Sequence, residues 1–226
     1  MSASADFIRD GAVHCPGVLS AADLTVLRDL ADQIIGPRPG ARLRSAESLA
    51  EILGATGPVG ALAARLTSPA ARPVRAVMFD KTPDANWAVA WHQDRTLPVA
   101  ERVEVEGFGP WSTKDGLLHV SPPFEILARM VTLRVHLDPV DTANAPLRAA
   151  LGSHRLDRVA AEDAATRAAE HPVIACLAEA GDVWAYATPI LHASDRAEPP
   201  RRRRVLQVDY ADFDLPGGLD WIGLGA

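Results

Sequence analysis

The sequence predicts a mainly β fold of the α+β kind, a sandwich or barrel preceded by a helical layer. Three observations carry this. Apolar residues recur at helical spacing over the first seventy positions, and from Val74 onward they fall into short runs of strand period. Sixteen glycines and 18 prolines among 226 residues supply frequent turns.

The elements follow in order. Ser20 and Asp23 make an approximate capping box, after which Leu24, Leu27, Ala31 and Ile34 share one helical face until Gly36-Pro37 stops the run. Ser45–Leu53 reads as a second helix, and a third opens with Pro58 in its first turn and runs to Leu66. Pro69 and Pro73 close this layer. Val74–Phe79 is a short apolar strand. Met130–Leu137 alternates, with Val131, Leu133, Val135 and Leu137 on a core face and Thr132, Arg134 and His136 toward solvent or a polar cavity. Val183–Tyr186 and Val205–Tyr210 are further strands, and Ala160–Glu170 is an exposed helix closed by Pro172. With no repeat and no linker, residues 1–226 read as a single domain: 1–73 a helical layer, 74–226 a β core. Val99–Phe124 reads as a long irregular insertion, lid-like, of the kind that shapes a substrate site.

Composition narrows the function. A net charge of −6 argues against a nucleic-acid or anionic-membrane partner, whose footprint is basic. No apolar run is long enough for a membrane span, and the first residues lack the pattern of a signal peptide. Cys15 and Cys176 are too few for a disulfide framework, so the expectation is reduced thiols and a cytoplasmic protein. Seven histidines remain to be explained.

The densest chemistry lies in Trp91-His92-Gln93-Asp94. In extended chain, His92 and Asp94 point to one side and can offer an imidazole nitrogen and a carboxylate oxygen to one ion. A third ligand comes from His192. Two imidazoles and one carboxylate on one face of an octahedral ion match the facial triad of non-haem Fe(II) sites. A second H-x-D, His136-Leu137-Asp138, sits in a regular strand and reads as pocket lining or structure. Eleven residues past His192 stands Arg203, and a hairpin through Asp195–Pro200 would bring it opposite Ser194. There a guanidinium and a hydroxyl can clamp a carboxylate. Arg201 shares the parity of Arg203 and is the alternative clamp, the rest of the Arg201–Arg204 run being solvated. His154 reads as a turn-organising residue, and His14, His119 and His171 have no identifiable partner.

This order of residues resembles the phytanoyl-CoA dioxygenase family. It consists of His92 and Asp94, then Asn144-Ala-Pro146-Leu147 and Gly152-Ser153-His154, then His192, Ser194 and Arg203. The resemblance spans about Val74 to Tyr210. Two positions depart from it: alanine at 145, where glycine is common, and leucine rather than proline before Gly152. The resemblance implies a double-stranded β-helix (jelly-roll, cupin-like) core and an Fe(II)- and 2-oxoglutarate-dependent oxygenase using O2. It would hydroxylate an unactivated C–H of a small metabolite and release succinate and CO2. His92, Asp94 and His192 would bind iron; Arg203 and Ser194 would hold the distal carboxylate of 2-oxoglutarate, with Asn86 and Lys81 as further contacts. With Asp94 present, halogenation is disfavoured, whereas desaturation, epimerisation or ring formation stay open. Trp111, Lys114 and His119 in the inserted stretch, with Arg134 on the polar strand face, are the candidate substrate contacts. A zinc-dependent hydrolase on the same triad is the alternative enzyme, although it leaves Arg203 and Ser194 unexplained. A non-catalytic metal- or small-molecule-binding jelly roll is the third reading.

Overall fold

The computed structural model describes residues 3–36, 38–198 and 201–225. Its largest sheet is six-stranded and antiparallel. In spatial order it runs β1 (Ala12–Cys15), β11 (Val183–Ala187), β8 (Val131–His136), β13 (Arg203–Ala211), β3 (Arg72–Lys81) and β2 (Gly40–Arg42). A second sheet of four strands runs β10 (Val173–Ala175), β9 (Leu147–Ala150), β12 (His192–Ser194) and β4 (Val89–His92). β5 (Leu97–Pro98), β7 (Leu117–Val120) and β6 (Trp111–Lys114) form a small third sheet. This is the jelly roll that the family resemblance implied.

The helices are α1 (Ala3–Asp10), α2 (Ala21–Ile34), α3 (Ala50–Leu53), α4 (Pro58–Leu66), α5 (Phe124–Ala128) and α6 (Ala164–Ala169). α2 starts on the expected capping box: Asp23 N–H donates to the Ser20 hydroxyl at 3.2 Å, and Ser20 N–H to the Asp23 carboxylate at 2.9 Å. It ends at Ile34, and Gly36 follows at φ +58°; Pro37 of the expected stop lies outside the described residues, as does Pro200. Leu27, Ala31, Leu53, Val59 and Leu62 pack on one face of the large sheet against Met78, Leu133, Val135 and Val208. Each large side chain withdrawn from water there contributes about 1.5–3 kcal/mol. The opposite face of the same strands looks into the sandwich and carries Arg75, Thr132, Arg134, Gln207 and Asp209, all buried or nearly so. The alternation expected for 130–137 is therefore borne out, with helices on the apolar side and a polar cavity on the other.

Several local expectations need correction. The first seventy residues are not wholly helical: β1 and β2 lie among them, as short strands that take their order from pairing with β11 and β3 at the sheet edges. Ser45–Leu53 is a 3-10 turn, Glu47–Leu49, followed by one turn of α-helix. The 160–170 helix is shorter, Ala164–Ala169. The stretch 99–124 is not irregular, because β6 and β7 pair as a hairpin on β5 over a separate apolar core with Val99, Leu127 and Met130. Among the described residues, no helix is long and apolar enough to cross a membrane. Both cysteines are free thiols.

Candidate metal centre

His92 closes β4, and Asp94 follows in extended chain, so both side chains leave the strand on one side while Gln93 turns away. The Gln93 side chain accepts from Val159 N–H at 3.0 Å, which pins the segment. His192 opens β12, directly opposite His92 in the antiparallel register, and the two rings sit 4.2 Å apart. One ligand atom from each of His92, Asp94 and His192 can be chosen such that all three lie within 4.8 Å of one another. Ser153 holds the approach to His192: its hydroxyl donates to Ala150 O at 2.6 Å and accepts from Leu191 N–H at 2.9 Å.

The donor set suits a divalent metal such as iron. Nδ1–H of His92 donates to Ala90 O at 2.8 Å and that of His192 to Ile190 O at 3.0 Å, which leaves each Nε2 as the free lone pair. Oδ2 of Asp94 accepts from Arg75 at 2.8 Å and from Gln207 at 3.1 Å, leaving Oδ1 available. Burial pushes the Asp94 carboxyl up, but Arg75 and the two imidazoles outweigh it and hold the group below the usual carboxylate range. Burial pushes His192 down to about 4, so its ring is neutral near pH 7. Arg75 in turn ion-pairs with Asp209 at 2.7 Å, and Asp209 accepts from the Thr132 hydroxyl at 3.0 Å.

The triad opens into a cavity of about 370 Å³. Arg203, Ser194 and Lys81 line it together, though not by the hairpin expected from the sequence: β12 belongs to the four-stranded sheet and β13 to the six-stranded one, so the chain crosses between sheets. Arg203 is 3% exposed, and among the described residues its guanidinium has only backbone partners, Asn144 O at 3.0 Å and Ala145 O. Burial, with Arg134 nearby, lowers its pKa to about 9. Arg201 lies before β13 begins, so strand parity does not reach it; it bonds Asp141 at 2.6 Å and does not line the cavity. Arg202 and Arg204, expected as solvated, pair with Asp80, Asp32 and Asp138. Lys81 donates to Trp87 O at 2.6 Å and Asp195 O at 2.9 Å, and lies 3.5 Å from the Ser194 hydroxyl. Burial, reinforced by Arg203 and Arg134, lowers Lys81 to about 7.

Lys114 and Arg134 also line the cavity, whereas Asn86, Trp111 and His119 do not. Asn86 instead ties two loops together through Ala197 N–H and O, at 3.0 and 2.9 Å. Trp111 packs on the core beneath the hairpin, and His119 is fully buried with Nδ1–H on Leu117 O at 2.9 Å. Alternation on β6 puts Trp111 on the face opposite Lys114, whereas His119 shares the face of Lys114 but is buried beneath it, short of the cavity. His14, unassigned from the sequence, bonds Asp182 at 2.9 Å and stacks on Trp184, and His171 bonds Leu151 O at 3.0 Å. Sequence reasoning missed Arg75, Gln207, Asp209 and Arg42. Stepping by two from Arg203 reaches 205, 207 and 209, a signal that was present. Arg42 stands on a three-residue edge strand and gave none.

A jelly roll with two histidines from its four-stranded sheet and one carboxylate just beyond β4 converging on one point defines a facial-triad fold with an adjoining cationic cavity. The chain belongs to the phytanoyl-CoA dioxygenase (PhyH) family, whose model matches residues 7–205. No match is found among curated protein sequences. Among solved structures, AviO1 from Streptomyces viridochromogenes Tue57 is similar at 23% identity and TM-score 0.69, covering 95% of this chain and 96% of that one. The non-haem α-ketoglutarate-dependent epimerase SnoN from nogalamycin biosynthesis is 19% identical, with TM-score 0.65, over 96% of this chain and 89% of its own. The carbocyclase SnoK from nogalamycin biosynthesis is 19% identical, with TM-score 0.69, over 95% and 85%. At these identities the likeness establishes the fold.

Proposed function

We propose that this chain is an Fe(II)- and 2-oxoglutarate-dependent oxygenase that hydroxylates a C–H of a small molecule. The observation that supports it best is the pairing of the triad, with ligand atoms within 4.8 Å, and a buried Arg203 on the same cavity that has no carboxylate partner among the described residues. A zinc hydrolase has no use for the second feature.

In this reading His92, Asp94 and His192 hold the metal. Arg203 grips the distal carboxylate of 2-oxoglutarate, with the Ser194 hydroxyl and Lys81 beside it. Iron, 2-oxoglutarate and dioxygen supply the oxidising power, with succinate and CO2 as products. The chain's own work is to bind, orient and exclude water. His92, His192, Ser194, Lys81 and Arg203 all stand on paired strands, which favours a fixed reacting geometry. The 99–124 segment serves as one wall of the substrate site, reaching it through Lys114. The epimerase and carbocyclase activities of SnoN and SnoK make product mass the discriminating readout.

Anaerobic addition of Fe(II) and 2-oxoglutarate is expected to give a weak visible charge-transfer band, lost in His92→Ala. Turnover in air is expected to release succinate with gain of one oxygen in the substrate. Iron-loaded protein with neither band nor succinate, across a substrate library, overturns the proposal.

A further inference from the structure

The cavity holds more positive charge than a 2-oxoglutarate site needs. Lys81, Arg134 and Arg203 form one group, at the Arg203 end of β13, each close enough to depress the others' proton affinity or be depressed by it. Arg42, Arg75 and Lys114 form a second group around Asp94, beside the β2 edge. Lys81 and Arg75 lie six residues apart on β3, so their attachment points are about 20 Å apart.

The carboxylates near these groups are few. Asp94 is the only acid among the described residues lining the cavity, and Arg75 is committed to it and to Asp209. Asp115 pairs with Arg42 at 2.7 Å but is half exposed. Asp195, near Lys81, pairs with Arg148 at 2.9 Å. Arg95, also on the cavity wall, is spent on Val159 O. Among the described residues Lys114 has a single neutral partner, the Thr96 hydroxyl at 2.7 Å, and Nε of Arg42 is buried without any. A diacid with one end on the triad and the other at Arg203 leaves Lys114 on the cavity wall with no carboxylate bonded to it, and Arg42 with only the half-exposed Asp115. Burial, then Arg75 and Arg42, weaken the hold of Lys114 on its proton, and the pull of Asp94 only partly offsets them, so an added anion there would be favourable.

We propose that the primary substrate carries an oxyanion group, a carboxylate or a phosphate, which Lys114 and Arg42 hold on the side of the triad away from Arg203. The place of the co-substrate in this inference rests on the reading above; the anion site itself does not. Lys114 comes from the β6–β7 hairpin and Arg42 from the edge strand β2, so the acidic group is gripped by two elements peripheral to the strands that carry the metal ligands.

The test uses the full chain loaded with Ni(II) and saturated with 2-oxoglutarate, followed by calorimetry and thermal shift. The probes are paired: short carboxylic acids against their primary amides, and phosphate monoesters against their parent alcohols. At least one acid is expected to bind about tenfold or more tighter than its neutral partner. Lys114→Met and Arg42→Gln are each expected to remove that preference while 2-oxoglutarate affinity stays within about twofold. The two probe series separate carboxylate from phosphate. Equal binding of acids and neutral partners, binding of no acid, or acid preference surviving in Lys114→Met overturns the proposal. The wild-type comparison stands even where a variant fails to fold. If 2-oxoglutarate itself does not bind, the co-substrate reading fails separately, and the acid-against-neutral comparison on the Ni(II) form keeps the same outcomes.

Discussion

Asp209 meets the guanidinium of Arg75 at 2.7 Å while the other arm of that guanidinium holds Asp94 at 2.8 Å, so a second carboxylate aims the first. Burial and the nearby Asp94 raise Asp209 to about 6, although Arg75 opposes them. Gln207 completes the arrangement: its amide nitrogen donates to Asp94 at 3.1 Å, and its oxygen accepts from Arg134 at 3.3 Å. Outer partners of this kind fix the angle at which a ligand meets its ion.

Asp209→Asn is expected to weaken divalent metal binding by about 10–100-fold, the usual cost of losing such a partner. Co(II) titration followed by visible absorption reads this directly, without turnover. Unchanged affinity would show that Asp94 is aimed by Arg75 and Gln207 alone.

Arg203→Ala is expected to raise the 2-oxoglutarate requirement by at least about 30-fold, since truncating a buried charged partner costs about 2–5 kcal/mol. Iron content should stay as in the wild type. Arg201→Ala, whose side chain pairs with Asp141 away from the cavity, should leave both unchanged. The reverse pattern would move the anchor to Arg201.

The strands that carry the metal ligands and Arg203 were legible where each residue could be placed by local period: the 131–137 alternation, the H-x-D spacing, and Arg203 on the parity of Val205. The fold class was legible for the same reason. What the sequence hid is set by pairing between distant strands. β2 and β5 are too short to carry a period and exist because β3 and β7 offer them free edges. Ser194 and Arg203 were correctly joined but by the wrong route, because nothing local distinguishes a hairpin from a crossing between two sheets. Asn86 was read as a pocket residue for its position in sequence, whereas its bonds to Ala197 show a loop tie.

His136 is expected to make the fold sensitive to acid. The ring is 1% exposed, and neither nitrogen has a partner among the described residues. Burial, aided by Arg134 and Arg203, lowers it from 6.5 to about 3. Between those values the unfolded chain binds the proton that the folded one refuses, so the stability due to the neutral ring is present above about pH 6.5 and is lost as pH falls. At about pH 5 this costs about 2 kcal/mol. His136→Leu should shrink the stability difference between about pH 8 and about pH 5 by that amount, measured by urea unfolding of the metal-free protein. An unchanged difference would assign the acid sensitivity elsewhere.

Ala145 sits at φ 49° and ψ 63°, left-handed backbone that disfavours a β-carbon, and its carbonyl accepts from Arg203. Asp141 caps the turn, accepting from Ala143 and Asn144 N–H at 3.0 Å each. Ala145→Gly should therefore stabilise the chain by about 1 kcal/mol, since relief of the strain exceeds the added freedom of the unfolded state. Thermal unfolding measures it, and a lower midpoint would mean that the turn holds alanine without strain.

β13 is the thirteenth strand in sequence, yet it lies in the middle of its sheet, between β8 and β3, and supplies Arg203 and Gln207 to the cavity and Asp209 to the Arg75 guanidinium behind it. During synthesis the flanking strands therefore wait with an open slot between them until residue 211 has left the ribosome. Such long-range closure makes folding slow and leaves two unpaired edges exposed in the meantime. Removal of residues 203–211 would abolish both the completed sheet and the cavity, so site and sheet form in one late event.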